Sequence, residues 1–278
     1  MNRYARQICL PQVGETGQSA LGRAHVLIVG AGGLGAPVLQ YLVGAGVRHL
    51  TLVDGDVVSL SNLHRQTLFR ETDIGRLKVE AAAGALRALN TECDITAHPV
   101  PLDPINAQAL VAQSTLVLDC ADSFAVSYIL SDACCAAGVA LISASALGVS
   151  GYVGGFCASA PSLRAVFPEL PDRAATCDSA GVMGPVVGMI GAAQAQMALG
   201  YLIGQTPSPL GQLISFDMQN FRTTSFRFDA APEPVTDLKF IAARDIAAWR
   251  AATQLRARWD GDIALVATGT TPPSTGLQ

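Results

Sequence analysis

Residues 30–35 read Gly30, Ala31, Gly32, Gly33, Leu34 and Gly35, a G-x-G-x-x-G run. Glycines in such a run let a backbone approach a phosphate closely, and a helix opening behind them offers unpaired N–H groups with a partial positive charge. Asp54 follows Gly35 by 19 residues, the distance at which a carboxylate closing the next strand can accept hydrogen bonds from ribose hydroxyls. Those features alone would indicate a nicotinamide dinucleotide. The next stretch argues against it, because Asp56, Asn62, Arg65, Gln66 and Lys78 all fall within 24 residues of Asp54. A dinucleotide's two phosphates are already served by the glycine loop, whereas a triphosphate needs further fixed cations aimed at the departing pyrophosphate. Asp122 lies just past another apolar run, where a carboxylate could hold Mg²⁺ through oxygen. Singly, Arg65 and Lys78 read equally well as solvated helix charges and Asp122 as a helix cap. Their grouping is what points to ATP.

The elements that would position these residues are legible in the apolar pattern. Residues 25–30 and 49–54 are short β-branched runs, and 37–43 between them has helical spacing that closes on Gly44. A helix is expected over 73–90 with Thr72 or Asp73 as its cap, strands over 95–100, 115–120 and 139–143, and a helix over 123–137 ending at Gly138. Strands alternating with helices predict an α/β fold, a Rossmann-like, mostly parallel sheet with helices on both faces. Beyond Gly148 the pattern changes. Residues 151–157 and 212–216 read as an antiparallel β region in the C-terminal half, flanking a Gly- and Ala-rich helix near 185–203. Residues 222–228 alternate like a strand with one wet face. The domain reading is an N-terminal helical arm over 1–24, a nucleotide-binding domain over 25–230, and an extension over 231–278. In that extension 245–258 could be helical and 267–278 frays.

Composition bounds the function. Half of the 278 residues are hydrophobic and 14% are charged, enough apolar surface for a large core. A formal charge of −4 lacks the basic excess that nucleic-acid binding requires. The amino terminus shows no apolar signal region, and the uncharged stretch between Asp178 and Asp217 is broken by Gly, Pro and Gln, so a cytosolic protein with no membrane span is expected. The seven cysteines are at 9, 93, 120, 134, 135, 157 and 177, with no C-x-x-C pair, and predict neither a disulfide framework nor a zinc site. All but Cys177 sit in apolar or helical text and read as core.

Together these residues resemble the ThiF/MoeB/HesA family of ubiquitin-activating-enzyme-like adenylyltransferases over roughly residues 3–230. Tyr4, Arg6 and Gln7 are similar to the family's opening R-Y-x-R-Q, residues 30–37 to G-A-G-G-L-G-x-P, and 52–66 to L-x-D-x-D-x-V-x-x-S-N-L-x-R-Q. Ile74, Gly75 and Lys78 resemble I-G-x-x-K, 118–122 resembles the segment carrying D-x-x-D, and 181–188 matches G-V-x-G-P-V-V-G. The resemblance implies that Asp54 holds ribose, that Asn62, Arg65 and Lys78 contact phosphates, and that Asp122 supports Mg²⁺. It also implies that Arg6 reaches the triphosphate of the neighbouring subunit in a homodimer. The implied reaction is ATP-dependent adenylylation of the C-terminal glycine of a small ubiquitin-like sulfur-carrier protein ending in Gly-Gly, for thiamine or molybdopterin synthesis. The sulfur would come from another protein such as a cysteine desulfurase or a rhodanese. Cys177 falls where the family places a cysteine that takes the activated carrier, and its polar flanks before a glycine-rich helix suit an accessible thiol.

The sequence also departs from the pattern. Many family members hold zinc with two C-x-x-C pairs, and here Ser162 and Ala165 stand at the first pair while 231–235 supplies no second, so no structural zinc is expected. Ser123 and Ser127 replace an Asn and an Arg after Asp122, leaving the phosphate and metal shell less charged. Three other functions stay open at this point: adenylation of another substrate such as a tRNA base or a peptide, an NAD-dependent oxidoreductase, and a catalytically silent scaffold. The missing basic excess weighs against the tRNA, and a dehydrogenase leaves Arg65 and Lys78 idle.

Overall fold

A computed structural model describes residues 3–168 and 181–234. After two short helices, α1 (Ala5–Ile8) and α2 (Gly14–Arg23), the chain alternates β1 (His25–Val29), α3 (Gly35–Ala45), β2 (His49–Val53), α4 (Lys78–Leu89), β3 (Asp94–His98), α5 (Pro104–Ala112), β4 (Leu116–Asp119), α6 (Phe124–Ala137) and β5 (Ala140–Leu147). It continues through β6 (Ser150–Phe156), α7 (Leu163–Val166), α8 (Gly184–Leu202), β7 (Gln212–Asp217) and β8 (Arg222–Arg227). The eight strands form one sheet in the order β3-β2-β1-β4-β5-β6-β7-β8. Pairing is parallel from β3 to β5 and antiparallel from β5 to β8. The Rossmann-like sheet with an antiparallel C-terminal region is the fold expected from the sequence.

Strand alternation explains why the central parallel strands β1 and β4 are buried almost throughout. Val26 and Ile28 of β1 join the core layer that contains residues of α3, α4 and α8, while Leu27 and Val29 join the opposite layer with α5 and α6. Helices α3 and α6 stop at Gly46 (φ 93°) and Gly138 (φ 68°), left-handed residues whose N–H groups donate to carbonyls of the helix's last turn. The N-terminal arm is tied to the far end of α3: the side-chain amides of Gln7 and Gln18 both donate to the Ala45 carbonyl at 3.0 Å. Asn90 Nδ2 donates to the Tyr4 hydroxyl at 2.9 Å and to Val43 O at 3.0 Å. Among the described residues no helix is long and apolar enough to cross a membrane.

Several expectations are corrected. The helix expected from Asp73 begins at Lys78, because Gly75 takes a positive φ of 86° between a 3-10 turn at Glu71–Asp73 and α4. Asp73 caps that turn instead, accepting from Arg70 N at 3.0 Å. Strand β8 has no buried face; all six of its residues are exposed at the sheet edge. Cys9 and Cys135, expected in the core, are exposed. The helix expected over 245–258 and the tail over 267–278 lie outside the described residues, as does Cys177.

Where the resemblance places zinc ligands, polar contacts join the chain. Ser162 caps α7, and its N–H and hydroxyl donate to the Glu233 carboxylate at 2.6 and 2.5 Å. Beside it Arg164 makes a two-pronged pair with Asp132 of α6 at 2.8 and 3.0 Å, with its guanidinium 4.7 Å from the Tyr128 ring centroid. Among the described residues no group of three or more potential metal ligands forms. Both charges of the Arg164–Asp132 pair are buried, so removing one strands the other in a low dielectric. Asp132→Ala is expected to destabilise the fold by about 3 kcal/mol, whereas an apolar replacement of both partners costs far less. Urea unfolding of the two variants checks the difference.

Candidate active site

The glycine loop lies at the carboxyl ends of β1 and β4, where the strand order reverses. Such a crevice is the usual ligand site of open α/β sheets. Gly30 has φ 99°, and a Cβ built on it would stand 2.5 Å from the Cys120 carbonyl oxygen, so the loop rests directly on the chain leaving β4. On its other side a Cβ at Gly33 would meet Val187 of α8 at 2.6 Å and the Arg65 Cγ at 3.5 Å. Above Gly32 the space is open except for Gln66 Nε2 at 3.6 Å. Gln66 is 3% exposed, and its Oε1 is buried without a hydrogen-bond partner among the described residues. A buried acceptor left unpaired is costly, and one beside the glycine loop suits a ligand donor or a water.

Asp54 ties the loop to the cations. Its Oδ2 accepts from Ala31 N at 2.7 Å and its Oδ1 from Asp56 N at 2.8 Å. Burial pushes its carboxyl pKa above the ordinary value, and the Lys78 charge pulls it back. Lys78 opens α4, and its side chain is 7% exposed while its ammonium pairs with Asp56 Oδ2 at 2.8 Å. Its backbone N–H donates to Asp56 O at 2.9 Å. The break at Gly75 therefore matters chemically, since it makes Lys78 the first residue of the helix, where helix dipole and ammonium reinforce each other. The Asn62 carbonyl closes the 3-10 turn Leu60–Asn62 by accepting the N–H groups of Arg65 and Gln66, both at 3.0 Å. The Arg65 Nη1 lies 2.9 Å from His64 Nε2 and 3.4 Å from Ser61 O. Gly30, Gly32, Gly33, Gly35, Asp54, Asp56, Asn62, Arg65, Gln66 and Lys78 thus belong to one connected neighbourhood around the loop.

Asp122 is exposed three residues beyond the end of β4, on the chain segment that borders Gly30. A residue for which the sequence reading gave no role, Asp119, shapes that segment. It is fully buried, accepts from the Ser143 hydroxyl at 2.8 Å and from Ala121 N at 3.2 Å, and burial raises its pKa to about 6. Ser127 lies close enough to pull that pKa back down, while its hydroxyl donates to the Ser123 carbonyl at 3.3 Å in the first turn of α6. Gln194 of α8 donates to the Asp119 and Ile142 carbonyls at 2.7 and 3.0 Å, linking the end of β4 to the neighbouring strand β5. An acid inside an otherwise apolar strand was the available signal. Arg6 is not brought to this neighbourhood. It is exposed on α1, whose neighbour Gln7 is bound at Ala45. The 11 residues of α3 separate Ala45 from the glycine loop by about 16 Å.

The sequence profile of the ThiF family matches residues 4–236. Curated relatives include "Adenylyltransferase and sulfurtransferase MOCS3" of Bos taurus, 44% identical over 78% of this chain and 48% of that protein. Another is "Adenylyltransferase and sulfurtransferase uba4" of Emericella nidulans, 41% identical over 81% of this chain and 50% of that protein. The chain spans about half the length of these relatives. Among solved structures, E. coli MccB with MccA-N7isoASN shares the fold, with a TM-score of 0.73 and 22% identity over 85% of this chain and 73% of that one.

The raised pKa of Asp119 has a defined pH signature. Because the native state holds the proton more tightly than the unfolded chain, stability from this group is present below the ordinary carboxyl pKa of 3.8 and is lost as pH rises through about 6. Asp119→Asn does not titrate, so relative to the unmodified protein it gains up to about 3 kcal/mol between pH 4 and pH 7. Denaturant melts of both proteins at the two pH values measure that gain, and a pH-independent difference would refute it.

Proposed function

The chain belongs to the ThiF family, and from that premise we propose that it uses ATP to adenylylate the C-terminal glycine of a small ubiquitin-like sulfur-carrier protein. The observation that carries this reading is the buried Lys78 ammonium beside Asp54 and Asp56, next to a glycine loop that Arg65 flanks. The α3 N-terminus and loop N–H groups receive phosphate oxygens, Asp54 accepts from the ribose hydroxyls, and Lys78, Arg65 and Asn62 take the remaining phosphates. Gln66 presents its unpaired Oε1 to a donor of the bound nucleotide. Asp122 suits a Mg²⁺ that keeps waters and phosphates as its other ligands, and such an ion would neutralise charge on the departing pyrophosphate.

The chemical step joins two anions. A carboxylate oxygen of the carrier's last glycine bonds to the α-phosphorus, the bond from that phosphorus to the α,β-bridging oxygen breaks, and its electron pair leaves with pyrophosphate. No general base is required, because the attacking carboxyl group is ionised at neutral pH. The protein's task is to neutralise charge and hold the reactants in line. Arg6 sits an α3 length from its own loop, which supports its service to the site of a second copy in a homodimer. Cys177 is the proposed acceptor of the activated carrier, with sulfur delivered by a cysteine desulfurase or rhodanese in the cytosol for thiamine or molybdopterin synthesis. The relatives' names, which join adenylyltransferase and sulfurtransferase, support that assignment.

Two measurements test the reading. ATP with Mg²⁺ is expected to raise Tm and NAD to leave it unchanged, since only a ligand of the native state stabilises it; the reverse pattern would restore the dehydrogenase. Pyrophosphate–ATP exchange should depend on a carrier ending in Gly-Gly and fall by about 10²-fold or more in Lys78→Ala and Arg65→Ala. Exchange that persists at full rate in both folded variants would remove these residues from the chemistry.

A further inference from the structure

At the C-terminal end of α6 and the exit of β6, two thiols meet away from the nucleotide site. Cys135 is exposed on the last turn of α6, and Cys157, 1% exposed, follows Phe156 directly. Their sulfurs stand 2.9 Å apart, only about 0.9 Å beyond a disulfide bond length. The backbone holds Cys157 in this position. Cys157 and Ala158 both take left-handed conformations, φ 61° and 52°, in a turn closed by Cys157 N to Pro161 O at 3.1 Å and Ala160 N to Cys157 O at 2.9 Å. Non-glycine residues persist in that region only where surrounding contacts enforce it. Of the other buried thiols, Cys93 donates to Val47 O at 3.3 Å and Cys120 to Gln194 Oε1 at 3.4 Å.

The two sulfurs are also unlike each other. Cys157 is buried, which keeps it protonated, and its sulfur lies 3.5 Å from Ser131 O and 3.8 Å from Ser131 Oγ. With both thiols protonated Cys135 donates to Cys157 and Cys157 to Ser131 O; once Cys135 ionises, the contact with Cys157 favours its thiolate and holds the Cys135 thiol below its ordinary range, although burial, Glu233 and Asp132 push the other way. The accessible member of the pair is therefore the one that ionises, and the inaccessible member waits within bonding reach.

We propose that Cys135 and Cys157 are a hydroperoxide-modified site that closes into a reversible disulfide, with Cys135 reacting first and Cys157 resolving it. The Cys135 thiolate attacks the terminal oxygen of the hydroperoxide. The O–O bond breaks, and sulfenic acid and hydroxide (or alkoxide) form. Cys157 sulfur then attacks the sulfenic sulfur, its proton joins the departing hydroxyl as water, and the S–S bond forms. In total two thiols are oxidised by two electrons while one hydroperoxide is reduced. The crosslink joins the end of α6 to the turn that leads into the Ser162–Glu233 and Arg164–Asp132 contacts. Helix α6 begins two residues after Asp122, so the linkage fixes the far end of an element bordering the nucleotide site.

The full chain, reduced and freed of reductant, is treated with hydrogen peroxide, alkylated and mapped by mass spectrometry without reduction. The expected result is a Cys135–Cys157 crosslinked peptide, a loss of two of the seven thiols, and recovery of both with dithiothreitol. Cys135→Ser, at an exposed position, removes the crosslink and leaves Cys157 alkylatable after denaturation. A melting curve verifies that this variant is folded. Sulfinic acid on Cys135 with Cys157 still a thiol, a crosslink between other cysteines, or no thiol loss would each overturn the proposal.

Discussion

A lysine ammonium that folding takes out of water must be paired, and in this chain the pairing organises the whole nucleotide crevice. Lys78 is buried while its partner Asp56 is 74% exposed, so one end of the pair is fixed and the other faces solvent. A pair in which only the ammonium is buried adds little net stability, because desolvating that charge offsets an attraction that solvent screens at the carboxylate. Its presence is better explained by what an incoming anion would find. A phosphate that displaces the Asp56 carboxylate meets an ammonium already desolvated, at a helix N-terminus, beside N–H groups held by Asp54. That carboxylate serves both sides, with one oxygen on Ala31 of the glycine loop and the other on Asp56 N. The loop, the carboxylates and the cation therefore cannot be repositioned independently.

The parallel half of the fold was legible because both its faces are covered. The central strands β1, β2 and β4 read as short, mostly apolar runs, and the turns between carry Gly30, Gly46 and Gly138, whose positive φ values only glycine adopts cheaply. Legibility failed where local text competes with tertiary context. The Ala, Leu, Glu and Lys content after Asp73 predicts helix throughout, yet Gly75 divides it and so delivers Lys78 to a helix start. The alternation in β8 suggests a covered face, but all six residues of this edge strand are exposed. Cys135 is apolar by type and helical by context. Its exposure depends on where the last turn of α6 falls, which periodicity cannot fix to one residue.

Within the site the same division holds. The glycines, Asp54, Asn62, Arg65 and Lys78 stand out by spacing, on the turns and helix start that follow consecutive strands. Asp119 belongs to the D-x-x-D segment, but that pattern gives it no role of its own, since its work is done through backbone and hydroxyl contacts. It accepts from Ala121 N and from the Ser143 hydroxyl, setting the path of the segment that borders Gly30 and carries Asp122. Gln194 supplies the matching restraint from α8, donating to the Asp119 carbonyl at the end of β4 and to the Ile142 carbonyl within β5.

The N-terminal arm places a further constraint on how such a crevice can be completed. Gln7 and Gln18 converge on a single carbonyl, Ala45 O, and Tyr4 receives a hydrogen bond from Asn90 while its ring lies over Gly46. These contacts dock α1 and α2 at the end of α3 opposite the phosphate loop. For Arg6 to reach its own loop, the arm would have to give up all of them and travel the length of a rigid helix. Docked as it is, the arm leaves Arg6 exposed on α1. The arm's local hydrogen bonds therefore hold that arginine an α3 length away from the glycine loop of its own chain.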